Sequence, residues 1–233
     1  MAAATEQQGG QIMSQSSQQS RHQILGRIRK GLGRDALCAD KQRALIAAMA
    51  QPKRNLVPQR AQAQGQAAID MFIAMATEAA AEITFLDKLT QLPEQIKSLI
   101  PENDPRPLII ASETQLTGLD WPSAGVTTVQ RVAQKNDLIS LTSCIAGVAE
   151  TGTLVLKSGP SSPTTLNLLP DIHCVLLRKE DIIGGYEDAW DLVRQAKLPR
   201  TVNFITGPSR SADIEQKLQM GAHGPKRLII YMI

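Results

Sequence analysis

The chain has 233 residues, 42% of them hydrophobic and 3% aromatic, with 25 Lys plus Arg against 22 Asp plus Glu, three His and three Cys. That length suits one large domain or a domain with an arm, and seven aromatic residues leave the core to Ala, Leu, Ile and Val and give nucleobases no stacking platform. No apolar run approaches the roughly 20 residues of a bilayer span, no basic and apolar leader is seen, which points to the cytoplasm, and Cys38, Cys144 and Cys174 are too few and too scattered for a disulfide framework or a cluster cradle.

The net charge of +3 is unevenly laid out. Residues 1–20 carry Glu6 alone, with six Gln and four Ser and almost nothing to bury, so they are expected to be disordered. Residues 21–60 carry ten basic side chains against Asp35 and Asp40, a net of +8, while the remainder is net −4. Within that basic stretch Ile24, Leu25, Ile28 and Leu32 fall on one face of a helix, and Gly31 and Gly33 supply its stop. Its apolar stripe suits packing on the body or on a partner. Nucleic acid is disfavoured as a partner, because the body is acidic and no reading module accompanies the arm. Residues 51–66, with Pro52, Pro58 and five Gln, read as an extended linker, so the division is a tail over 1–20, a basic arm and linker over 21–65 and a body over 66–233.

In the body, Ala67, Ala68, Met71, Phe72, Met75, Ala76, Ala79 and Ala80 recur at helical spacing and predict a helix over 66–81. A short strand follows at 82–86 and another helix at 93–100, with Pro101, Pro105 and Pro107 marking a loop. Short apolar runs at 108–111, 126–129, 153–157, 173–178, 201–206 and 227–233 read as strands, with helices over 186–197 and 212–220 between them. Apolar strands alternating with amphipathic helices imply an α/β domain with a largely parallel sheet. In such sheets ligands bind beyond the carboxyl ends of the strands.

Two loops carry candidate chemistry. Gly207, Pro208, Ser209 and Arg210, followed by Asp213, lead from a strand into the helix expected over 212–220, an arrangement suited to an anion at a helix N-terminus. The alternative reading is a plain helix start, with Ser211 as N-cap, Asp213 and Glu215 complementing the dipole and Arg210 paired with one of them. Glu150, Thr151, Gly152 and Thr153 precede a buried strand, and offer either a carboxylate and hydroxyls to a ligand or a tight turn. His223, between Gly221 and Pro225, either faces a ligand or bonds within its turn. His22, His173 and His223 form no metal-ligand cluster by spacing.

The run Ala149-Glu150-Thr151-Gly152-Thr153-Leu154-Val155-Leu156, then Leu168-Leu169-Pro170, then residues 205–215 around Gly207-Pro208-Ser209-Arg210, and finally Gly221-Ala222-His223-Gly224-Pro225, resembles the LUD-domain family, in its lactate-utilisation protein C branch. The likeness covers about residues 66–233, and Gly-Leu-Gly-Arg at 31–34 also looks like the family's N-terminal region. Ser211 and Ala222 stand where that family more often has Thr and Val, and residues 1–20 have no counterpart in it. The resemblance implies a three-layer α/β/α sandwich similar to the NagB/RpiA/CoA-transferase-like fold, with the N-terminal helical arm added. It further implies a place in an iron-sulphur system that oxidises L-lactate to pyruvate, with the clusters in partner subunits and no cofactor in this chain. No catalytic residue comes with it, and likeness to transferases with a catalytic Glu does not give Glu150 that role. A stand-alone enzyme or binding protein for a phosphorylated metabolite, nucleotide or acyl-CoA is the alternative that the Gly207–Asp213 loop suggests.

Overall fold

A computed structural model describes residues 18–34, 37–50, 52–214, 217–221 and 223–233, so most of the Gln-rich tail lies outside the described residues. The chain divides into a unit ending at Lys53 and a second over Arg54–Ile233.

In the first unit residues 18–31 form helix α1 and Ala39–Ala50 form α2. Gly33 stops α1 in the left-handed region, at φ 58°. Around it the Gly33 N–H donates to the Lys30 carbonyl at 3.2 Å and the Arg34 N–H to the Arg29 carbonyl at 3.0 Å. That pairing satisfies carbonyls which the helix would otherwise leave orphaned. Ile24 and Ile28 on α1, Leu32 in the turn after it, and Leu45, Ile46 and Met49 on α2 each stay more than half exposed.

The second unit is the α/β body. Its helices are α3 (Gly65–Glu78), α4 (Leu92–Lys97), α5 (Thr114–Thr117) and α6 (Tyr186–Arg194). Its strands in chain order are β1 (Glu82–Phe85), β2 (Leu108–Ile110), β3 (Thr128–Val129), β4 (Ile139–Ser143), β5 (Ala146–Val148) and β6 (Thr153–Lys157). These are followed by β7 (Ile172–Leu177), β8 (Ile182–Ile183), β9 (Val202–Ile205), β10 (Arg210–Ile214), β11 (Lys217–Met220) and β12 (Arg227–Met232).

Six strands make a parallel sheet in the order β1-β12-β7-β4-β2-β3. Alternation along β7 and β12 sorts the core into two faces. Cys174, Leu176, Ile229 and Tyr231 pack with Leu92 and Ile96 of α4 on one side. Val175, Leu177, Leu228, Ile230 and Met232 pack with Ala68, Phe72 and Ala76 of α3 on the other. The mixed α/β architecture expected from the alternating pattern is therefore present.

Three expectations are corrected. The strands read at 153–157 and 201–206 exist as β6 and β9, but they run antiparallel to each other in a second sheet of order β8-β5-β6-β9. That sheet lays Leu154 and Leu156 against the α3 face and turns Ala146, Val148 and Val155 toward Ala189 and Val193 of α6. The helix read over 66–81 stops three residues early, because Ala80 takes φ 63° and the Ala81 N–H donates back to the Ala76 carbonyl at 2.9 Å. The segment read as helix 212–220 is instead the β10-β11 hairpin, with Arg210 opposite Met220. Its ends are tied together, the Gly221 N–H donating to the Ser209 carbonyl at 2.9 Å. A nine-residue helix would hold its ends about 12 Å apart and forbid that bond. Gly221 accordingly closes a hairpin and caps no helix.

The segment read as an extended linker holds no helix or strand over 54–58 but turns into the 3-10 turn Gln59–Gln62, and it is docked on the body. Arg54 pairs with Asp188, the Asn55 side chain donates to Glu187 at 3.0 Å, and Ala61 within the turn is buried.

Candidate functional site

The end of α3 is the surface on which two of the motif loops are seated. Gly152 has φ 63°, and a Cβ there would lie 2.2 Å from the Ala76 backbone nitrogen. Gly207, with φ 72°, sits in the same way on the Ala79 carbonyl. Only glycine permits both the left-handed turn and the contact. The 150–153 turn and the 206–209 loop are thus brought together although they lie more than 50 residues apart.

A chain of hydroxyls joins them. The Thr151 and Thr153 hydroxyls are 2.7 Å apart, the Tyr186 hydroxyl lies 2.9 Å from Thr151 and 3.0 Å from Thr153, and Thr206 completes the chain 2.6 Å from Thr153. Each hydroxyl both donates and accepts, so the chain satisfies itself inside the fold. Tyr186 and Thr206 were not singled out in the sequence, because neither had a recognisable partner there.

Beyond Thr206 opens a cleft of about 250 Å³. Gly207, Pro208 and Ser209 form one wall, His223, Gly224 and Pro225 another, and Leu168 contributes from the Leu-Leu-Pro motif. The Ser209 N–H donates to the Pro225 carbonyl at 2.9 Å, which fixes the two walls to each other. Three of the four motifs therefore line one cavity, and the fourth adjoins it through Thr153 and Thr206.

Two residues that sequence reasoning missed complete the lining. His173 on β7 is 0% exposed and Asn167 is 3% exposed. The Nε2 atom of His173 is 2.9 Å from the Thr142 hydroxyl, whereas its Nδ1 and the Asn167 Oδ1 have no hydrogen-bond partner in the described structure. Burial alone pushes the imidazole down to about 3, so His173 is neutral at physiological pH. A buried polar atom without a partner is rare and costly, and these two belong to the lining of one cavity. Nothing in the sequence distinguished His173 from a core residue of its strand.

The remaining candidates lie elsewhere. Glu150 is buried, 3.5 Å from the Arg60 guanidinium, and its N–H donates to the Gly184 carbonyl at 3.2 Å. Arg210 donates to the Ala79 carbonyl at 2.6 Å and braces the end of α3. Asp213 belongs to β10. Glu150, Arg210 and His223 thus do not converge, and the cleft lining carries no permanent charge. The helix N-terminus on which the anion site was premised is replaced by a hairpin.

The donor set does not suit an iron-sulphur cluster. Cys38 lies in the first unit and Cys144 and Cys174 in the second, where burial pushes both thiols far above their usual range and disfavours the thiolate that ligates metal. Among the described residues, no three His, Cys, Asp or Glu side chains group as metal ligands.

A family model described as LUD domain matches residues 69–233. Lactate utilization protein C of Bacillus subtilis (strain 168) is 26% identical over 245 residues, covering 95% of this chain and 99% of that protein. A protein of the same name from Geobacillus sp. (strain WCH70) is 29% identical over 161 residues, covering 59% of this chain and 66% of its own. Among solved structures, a DUF162 family protein from Deinococcus radiodurans shares the fold, with a TM-score of 0.51 at 20% identity over 71% of this chain and 95% of that one.

Proposed function

The chain belongs to the LUD-domain family, and on that premise we propose that it acts in lactate utilisation, as a cluster-free subunit of an iron-sulphur system that oxidises L-lactate to pyruvate. The observation that carries this reading is the end-to-end likeness to lactate utilization protein C of Bacillus subtilis, which spans 95% of one chain and 99% of the other. Oxidation of the alcohol to the ketone releases two electrons and two protons, and the electrons leave through clusters held by partner subunits. The scatter of the three cysteines, with burial disfavouring the thiolate at Cys144 and Cys174, supports assigning the clusters to those partners. The basic arm, with its exposed apolar residues, is the part suited to docking on them. No described helix is long and apolar enough to cross a membrane, in keeping with a cytoplasmic site of action.

In this reading the motif cleft holds a small ligand. Its uncharged lining favours a neutral or singly charged group met by loop amides, His223 and the unpartnered atoms of Asn167 and His173. That lining argues against the alternative of a phosphorylated metabolite, nucleotide or acyl-CoA, whose phosphates call for Arg or Lys.

The test is affinity purification of the tagged chain from lactate-grown cells, together with growth of a deletion strain. Cysteine-rich cluster proteins should copurify, and growth on lactate should fail in the deletion. Recovery of no such protein, with growth intact, refutes the proposal.

A further inference from the structure

The connections of the six-stranded sheet reverse once. From β2 the chain steps outward to β3, whereas from β4 it steps the opposite way to β7 and then β12. In open parallel sheets the crevice beyond the carboxyl ends at such a reversal is where ligands bind. The motif cleft is not there, for His173 and Leu228 place it at the amino ends of β7 and β12.

The reversal lies between β2 and β4, and a separate cavity of about 280 Å³ opens beyond it. Ser143, the last residue of β4, donates its hydroxyl to the carboxylate of Glu113, three residues past β2. Lys157, the last residue of β6, lines the same cavity. Ser161 and Ser162 close it from a loop held by reciprocal backbone bonds between Gly159 and Ser162, at 3.1 and 3.2 Å, and by the Ser112 N–H donating to the Ser161 carbonyl at 2.7 Å. Among the described residues, neither Glu113 nor Lys157 has an oppositely charged side chain within salt-bridge distance. Among the described residues, one cavity therefore presents an ammonium and a carboxylate without salt-bridge partners, the carboxylate accepting from Ser143 and from the Gln115 amide, together with the serines of the 158–162 loop.

We propose that this cavity is a second binding site, for a small carboxylic acid bearing a hydroxyl group. The ligand carboxylate meets Lys157 and the hydroxyls of Ser161 and Ser162, and the ligand hydroxyl donates to Glu113. A ligand with only an anion makes no bond to Glu113, and one with only a donor forgoes the charge of Lys157. The volume suits an acid of a few carbons. The inference draws on these groups and not on the lactate role, although a 2-hydroxy acid fits both.

Isothermal titration of the purified full chain with L-lactate and with propionate, which lacks the hydroxyl, tests it. L-lactate should bind about tenfold more tightly than propionate, the worth of one hydrogen bond to a charged acceptor. Lys157→Ala should weaken both acids, whereas Glu113→Ala should erase the preference for lactate. Lys135→Ala, an exposed lysine in the lining of neither cavity, should change neither. Absence of saturable binding, retention of wild-type affinity by Lys157→Ala, retention of the preference by Glu113→Ala, or an equal loss through Lys135→Ala overturns the proposal. Each of these outcomes leaves copurification and growth on lactate unaffected, so the two proposals fail separately.

Discussion

Gly207 sits against Ala79 so closely that a Cβ on the glycine would lie 2.0 Å from the Ala79 carbonyl oxygen. The contact sets the 206–209 wall of the motif cleft on the last turn of α3, and Arg210 donates to the same oxygen from the other end of that wall. Gly207→Ala adds both left-handed strain and a clash with backbone that has no rotamer to escape into. The substitution should cost at least about 2 kcal/mol and lower the melting temperature by roughly 4–8 °C. Gly159→Ala, where nothing lies within 4 Å, is the control and should move it by less than about 2 °C. Equal melting temperatures for the two variants would refute the packing role.

His173 makes stability depend on pH. Its pKa falls from 6.5 to about 3 on folding, because burial penalises the charged ring. Below 6.5 the unfolded chain therefore takes up a proton that the folded chain refuses. Stability is fully present above pH 6.5 and declines as pH falls toward 3, by up to about 1.4 kcal/mol per unit from this group. Chemical denaturation between pH 6.5 and 5 should show that slope, and His173→Gln should flatten it. A parallel slope in the variant would show that other groups are responsible.

Two bidentate ion pairs should differ in worth. Burial would raise the Asp137 carboxyl, but hydrogen bonds from Arg131, at 2.7 and 2.8 Å, and from the Gln134 N–H, at 2.6 Å, together with the Arg131 charge, hold it below the usual range. Asp137 is buried, so Asp137→Ala strands those donors and should cost about 2–3 kcal/mol. Arg227 and Glu82 join β12 to β1 at 2.7 Å with both side chains more than 40% exposed, and Glu82→Gln should cost no more than about 1 kcal/mol. Urea midpoints of the two variants provide the comparison.

Arg60 and Glu150 are a clasp in which only one partner is exposed. Arg60 is 60% exposed and Glu150 7%, so Arg60→Ala leaves a carboxylate buried without its cation. Segment 54–62 should then loosen, with faster amide exchange at Ala61, whose N–H donates to the Pro58 carbonyl at 3.0 Å. Unchanged exchange there would mean that Arg54 and Asn55 anchor the segment by themselves.

Much of the fold was legible because apolar periodicity reports which face of an element is covered. Phe72 and Ala76 marked the buried side of α3, and the runs at 108–111, 173–178 and 227–233 marked central strands. The early end of α3 was not legible, since Ala80 gives no sign that it will adopt φ 63°. At the site, the local motifs show which loops hold backbone-permissive and polar residues, but only the fold lays Gly207, Ser209 and His223 along one cavity and commits Glu150 and Arg210 to other contacts.

The sequence alone determined the α/β class, the stop at Gly33, the basic arm and the motifs that place the chain among LUD domains, since each is a property of neighbouring residues or of local spacing. The tertiary structure alone decided that 210–220 is a hairpin, that β6 and β9 leave the parallel sheet, and that His173 and Asn167 face the cavity which Gly207 and His223 enclose. Those outcomes rest on bonds such as Gly221 to Ser209 and on contacts such as Gly207 to Ala79. Periodicity states that a face must be buried, and only closure of the whole chain chooses against what.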